Sequence, residues 1–169
     1  MPRRGTCLAL LAAAFVATRI LYFQWGIRFD IETLPVYWQF VDPTLLLHDF
    51  WRSVFYLEWQ PPLFNVFLGA MLHLFSAHAA AAFQSVYLGL GLALSLSLFE
   101  LMRALGVDHR VSLAIALFFT LSPSTILYEN LLFYEYPLTV LFCIAALFLQ
   151  RFANAGKNST ARFSSGPWR

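Results

Sequence analysis

The sequence predicts an all-α integral membrane protein: four spanning helices, plus helices lying against one face of the membrane. Three observations predict it. The chain is 60% hydrophobic and 12% charged, about half the charged fraction of a soluble domain. Four apolar segments have the length needed to cross a ~30 Å hydrocarbon core, roughly 20 residues. The charges outside those segments separate by sign to opposite sides.

The first span is residues 6–26, within MPRRGTCLALLAAAFVATRILYFQW. Two arginines before an apolar run are shared with secretory signals, but a cleavable signal has an apolar core of only about 7–15 residues. Here the run reaches Trp25, interrupted only by Arg19, and ends in Tyr22, Phe23 and Trp25, an interfacial aromatic belt. It reads as an uncleaved first helix. The later spans are 79–102, 111–128 (VSLAIALFFTLSPSTILY) and 132–150.

The segment EWQPPLFNVFLGAMLHLF, residues 58–75, decides the topology. Its apolar part is about 22 Å long as a helix, short for a span, and carries Asn65 and His73. If it does not cross, one side holds Arg3, Arg4, Arg103, Arg110, Arg151, Lys157, Arg162 and Arg169, eight of the eleven basic residues. The other side then holds Asp30, Glu32, Asp42, Asp49, Glu58, Glu129 and Glu135, seven of the nine acids. If it does cross, the basic loop and tail move outside, against the positive-inside rule. Residues 61–75 are therefore expected to form a juxtamembrane or re-entrant helix, with Pro61 and Pro62 at its start, where a missing N–H costs nothing.

The rest of the external excursion, 27–78, is aromatic, leucine-rich and broken by Pro35 and Pro43. Short interfacial helices suit it. Asp42 before Pro43 reads as a turn. Residues 1–151 form the membrane module, and 152–169, small and polar, are expected to be a disordered cytoplasmic tail. On such a tail the Asn158-Ser159-Thr160 sequon is a chance match. Cys7 and Cys143 lie in apolar runs without ligand spacing, so neither a disulfide nor a structural metal is inferred. The basic residues are dispersed, which argues against nucleic acid as a partner.

This topology gathers acids on one face: Asp30 and Glu32 in RFDIET, Glu58, and Glu129 and Glu135 in YENLLFYEYP. Carboxylates at the edge of hydrocarbon are costly to desolvate and mark candidate sites. Each has a plainer reading as a solvated or capping acid, or as a partner for Arg28 or Arg52.

At these residues the sequence resembles a family. A first span followed by an external acidic motif, then QPPLFNVFLG, then a helix ending in LSPSTILYEN, is similar to the N-terminal part of the GT-C membrane glycosyltransferases. The nearest groups are the protein O-mannosyltransferases and the lipid A aminoarabinose transferases. The resemblance covers about residues 6–151. The sequence departs from the family pattern where Asp30 and Glu32 are split by Ile31, and where Gln60 replaces a family His or Lys.

The resemblance implies transfer of a sugar from a polyprenyl-phosphate donor to an acceptor hydroxyl, on the periplasmic or extracellular side of a bacterial plasma membrane. Asp30 is the leading general base, with Glu32 the alternative, while Glu58 or Glu129 would orient a substrate. Arg28, His48, Arg52 and Gln60 are candidates for holding phosphate, as is Arg19, whose plainer reading is a snorkelling side chain. No cofactor is implied with certainty, and a divalent metal is left open. The family core has more than four spans. The chain is therefore expected to be an incomplete piece, inactive alone, that lacks a C-terminal portion or a partner subunit. The competing class is a small non-enzymatic multipass subunit binding lipid or partner helices, for which LGLGLALSLS offers a close-packing surface. A transporter fragment is disfavoured, because no span is read as carrying a charge near its centre.

Overall fold

A computed structural model describes residues 4–36, 40–56 and 62–164, with side chains described up to residue 156. Every regular element is helical. In order they are α1 (Arg4–Gln24), α2 (Thr33–Val36), α3 (Pro43–His48), α4 (Phe50–Tyr56), α5 (Pro62–Leu74), a 3₁₀ turn (Ser76–His78), α6 (Ala79–Ala104), α7 (His109–Leu121), α8 (Pro123–Glu129) and α9 (Glu135–Ser164). Among the described residues, three helices are long and apolar enough to cross a membrane: α1, Ser76–Ala104 and the Glu135–Gly156 part of α9.

The segment read as a single span over 111–128 is broken. α7 and α8 meet at an angle of 57°. Pro123 opens α8; it has no N–H to continue the ladder of α7 and its ring displaces the preceding turn. Together the two halves form a fourth candidate crossing, bent rather than straight. α9 runs past residue 151, where a disordered tail is expected from the sequence. Between Pro137 and Ser164, where α9 ends, the only breaker is Gly156, so local propensity lets the helix continue.

α6 is the hub, packing against α9, α7 and α1, while α1 also packs along α7. One end of this bundle is stapled by charge. Arg4 donates twice to Glu100, from Nε to Oε1 and from Nη2 to Oε2, both at 2.7 Å. Arg151 donates to Glu100 Oε2, also at 2.7 Å. The start of α1, the end of α6 and the middle of α9 therefore share one end. α1 and α6 each close in a Schellman turn at a glycine with positive φ. Ile27 N–H reaches the Tyr22 carbonyl across Gly26 (φ 90°), and Val107 N–H reaches the Met102 carbonyl across Gly106 (φ 88°).

The opposite end carries a lid made from the helices between α1 and α6. Asp42 caps α3, accepting the Thr44 amide at 2.7 Å, and Pro43 takes the first helical position. The expected Asp-Pro turn is thus a helix N-cap. α5 has 13 residues, about 20 Å, and packs against α3 and α4. Asn65, buried on α5, accepts the Val41 amide at 3.3 Å, and His73 donates from Nε2 to the Leu46 carbonyl at 3.0 Å. The Phe50 ring lies over Gly69 so closely that a Cβ there would sit 2.2 Å from it. The lid meets the bundle through aromatic contacts: Phe67 against Phe83, 5.6 Å between centroids, and Phe29 against Phe83 and Tyr87 at 6.4 and 5.0 Å.

Candidate functional site

The site develops where α1 ends and α8 turns into α9. Arg19, one turn before the end of α1, is 9% exposed, and Glu129, the last residue of α8, is 1% exposed. They form a two-point ion pair, Nε to Oε1 at 2.9 Å and Nη2 to Oε2 at 2.8 Å. Arg19 Nη1 also donates to the Thr120 carbonyl at 2.7 Å and to Thr18 Oγ1 at 3.1 Å. The Thr120 carbonyl is free because Pro123 breaks the helix, and in a bilayer a freed carbonyl needs an internal partner. Arg19 supplies it, so the break and the buried charge stabilise each other. The guanidinium also lies over the Phe15 ring, 4.0 Å from its centroid.

The carboxylate is held from its other side as well. The Tyr136 hydroxyl donates to Glu129 Oε2 at 3.2 Å. Gly91 of α6 leaves the necessary room, since a Cβ at that position would lie 2.2 Å from Glu129 Oε2. Part of the small-residue stripe LGLGLALSLS therefore faces an acid within the chain. Below it, Thr120 Oγ1 donates to Ser95 Oγ at 3.0 Å. A buried ion pair survives desolvation when its remaining hydrogen-bonding capacity is met, and here both partners have further partners.

Asp30 lies next to this network through the backbone. Its N–H donates to the Asn130 carbonyl at 2.8 Å, closing a parallel bridge with Leu131. Its side chain accepts the Glu32 amide at 2.7 Å. Asp30 and Arg28 line a cavity of about 470 Å³ with Tyr22, Ile27, Ile126 and Asn130. Those last four residues also line a neighbouring apolar cavity of about 680 Å³ between α1 and α6, which Arg19, Gln24 and Gln84 reach. Arg28 is exposed, stacks on Phe23 at 3.6 Å and donates to the Phe23 carbonyl.

Thus Asp30 and Glu129, expected on one face of the membrane, are brought to the same end of the bundle, but only Asp30 lines the open cavity; Glu129 is enclosed by Arg19, Tyr136 and Gly91. Glu32 is exposed beside Asp30. Among the described residues, no ion pair links Arg28 to Asp30 or Glu32. His48 and Arg52 are exposed on the lid, and neither is among the residues lining the Asp30 cavity. Glu58 and Gln60 lie outside the described residues. Glu135 lines a separate cavity with Tyr128 and Thr139. Among the described residues, no group of three or more His, Cys, Asp or Glu is arranged to hold a metal ion.

Arg19 is the residue whose role sequence reasoning undervalued. The signal was present: an arginine inside an apolar helix marks a site by default. Its partner, 110 residues away in the chain, could not be matched without the fold. No family model, curated protein or solved structure significantly matches the chain.

Proposed function

We propose that the chain is a four-crossing module of a membrane glycosyltransferase, acting on a polyprenyl-phosphate sugar at the end that carries Asp30. The termini face the cytoplasm, as the charge asymmetry favours. The observation that carries this reading is the pair of contiguous cavities. An apolar groove between α1 and α6 opens, across Tyr22, Ile27, Ile126 and Asn130, into a mouth that presents one carboxylate and one guanidinium. That combination suits a ligand with an isoprenoid tail, an anionic phosphate and a hydroxyl acceptor. Asp30 would take the acceptor's proton as its oxygen attacks the anomeric carbon. Arg28 would hold the phosphate, which leaves with the electrons of the broken C–O bond.

The test begins with binding. The chain reconstituted in nanodiscs should bind a polyprenyl phosphate more tightly than the neutral polyprenol, and Arg28→Ala should erase most of the difference. Equal affinity for the two lipids would overturn the reading. A second reading, a non-enzymatic multipass subunit, draws on α9, whose apolar span is 11% buried. It gains ground if neither lipid binds and α9 cross-links to another membrane protein.

A further inference from the structure

Arg19 reaches the apolar groove, but its guanidinium is committed to Glu129 and to the Thr120 carbonyl, and the pair makes no part of the proposed phosphate contact. The pair is linked to Asp30 through the backbone. Glu129 is followed directly by Asn130, whose carbonyl receives the Asp30 amide, and by Leu131, the bridge partner of Asp30. Arg19 stands five residues before Gln24, where α1 ends and the chain turns towards Asp30. The pair therefore grips both strands of the bridge from behind: α1 on the Asp30 side, α8 on the Leu131 side. We propose that Arg19 and Glu129 are positioning residues that set the place of the Asp30 carboxylate at the cavity mouth, rather than groups that touch the reacting atoms. This assignment rests on the glycosyltransferase reading for its catalytic consequence, but not for its geometry.

The physical argument concerns tolerance. The Asp30 segment lies between Gly26, with its unrestricted backbone, and the four-residue helix α2. Neither neighbour is stiff. A backbone hydrogen bond to Asn130 and the buried Phe29 ring, packed on Phe83 and Tyr87, fix it, and the position of Asn130 is set by where α8 ends. The end of α8 is held by Glu129 on Arg19, Tyr136 and the space over Gly91. Displacing a reacting group by about 1 Å costs on the order of 10²-fold in rate. Loss of the pair should therefore reach Asp30 without any contact to it.

The experiment uses Arg19→Met with Glu129→Leu, which removes both charges together and leaves neither buried alone; because the Thr120 carbonyl and the Tyr136 hydroxyl each lose a partner, circular dichroism first establishes that the helical bundle still folds. Two readouts are taken. The first needs no activity: with Cys7 and Cys143 replaced by alanine, cysteines are placed at positions 30 and 131, and disulfide formation is followed by mass spectrometry. A bridge pair lies within disulfide reach, Cα atoms roughly 4.4–6.8 Å apart. Cross-linking should be fast with the ion pair intact and slower by about 10-fold or more without it, reflecting the lost proximity. The second is steady-state turnover in the lipid-embedded protein with its remaining parts. Here kcat should fall by about 10²-fold, a larger effect than any rise in donor KM from the altered groove wall, since Arg28 is untouched. Unchanged cross-linking in the doubly substituted protein overturns the proposal. So does unchanged kcat in a protein that turns over. Slowed cross-linking supports the geometry whether or not the protein turns over; if it slows while the protein binds polyprenyl phosphate no better than polyprenol, the geometry stands and the glycosyltransferase reading fails instead.

Discussion

Replacing Gly91 by alanine should loosen the whole α6–α8–α9 junction, whereas the same change two residues earlier should not. An added Cβ at Gly91 would lie 2.2 Å from Glu129 Oε2, 2.9 Å from its Cδ and 2.8 Å from the Tyr136 hydroxyl. To restore ordinary contact the carboxylate must retreat by about 1 Å. It is not free to do so, because Arg19 holds both of its oxygens. Overpacking of this kind costs about 1–3 kcal/mol, and complete loss of one partner from a buried pair costs about 3–5 kcal/mol. Alanine returns about 0.5–1 kcal/mol through its better helix propensity. Gly91→Ala is therefore expected to be destabilising by about 2 kcal/mol. Gly89, with nothing within 4 Å of its added Cβ, should show only the propensity gain, about 0.5 kcal/mol of stabilisation. Unfolding by SDS in mixed micelles, followed by circular dichroism, measures both. Shortening the acid with Glu129→Asp in the Gly91→Ala background should recover part of the loss. If Gly91→Ala and Gly89→Ala unfold together, Glu129 does not sit against α6 and the ion-pair geometry is refuted.

Reporter fusions at residues 106 and 160 are expected in the cytoplasm, and those at 45 and 77 outside; a cytoplasmic signal at 77 would mean that α5 crosses. Asp30→Asn should lower turnover by about 10²–10⁴-fold, the worth of a positioned general base, while Glu32→Gln costs far less; the reverse result moves the base two residues along. The Asp42 carboxyl is held below its ordinary value by hydrogen bonds from the Thr44 hydroxyl and the Thr44 amide. Its contribution is therefore present above the unfolded value near ~4 and is lost as the pH falls through the lower folded value. Hydrogen exchange in α3 should accelerate on acidification through that window, and an unchanged rate down to pH ~2 would remove Asp42 as the cap.

The outline of the bundle was legible because spans announce themselves by length and hydropathy, and because charge asymmetry constrains which ends meet. The staple of Arg4 and Arg151 on Glu100 joins ends that the asymmetry had already grouped. The short α5 was legible from Pro61 and Pro62 and from its length. The break at Pro123 was written in LSPST but outweighed by continuous hydropathy, which does not record whether a ladder of hydrogen bonds is intact. Asp30 was legible as an acid at the end of a span, and it lines a cavity. What Glu129 does was not, because its environment consists of Arg19, Gly91 and Tyr136, three residues on three other helices. Hydropathy and motif spacing act over one segment at a time and carry no term for such a meeting.

The distance in sequence between Arg19 and Glu129 has a consequence for how the protein is made. Synthesis proceeds at about 5–20 residues per second, so the 110 residues between them separate their emergence by on the order of ten seconds. Throughout that interval α1 is in the bilayer with a guanidinium and no counter-charge. Its position one turn from the end of the helix lets the side chain reach the interface while it waits. Only when α8 arrives can the charge be drawn inward, and the Asp30 bridge close behind it. α1 is thus held first only by Glu100 and by its packing on α6 and α7, and a ribosome stalled before residue 129 leaves its Arg19 without the acid that pairs it.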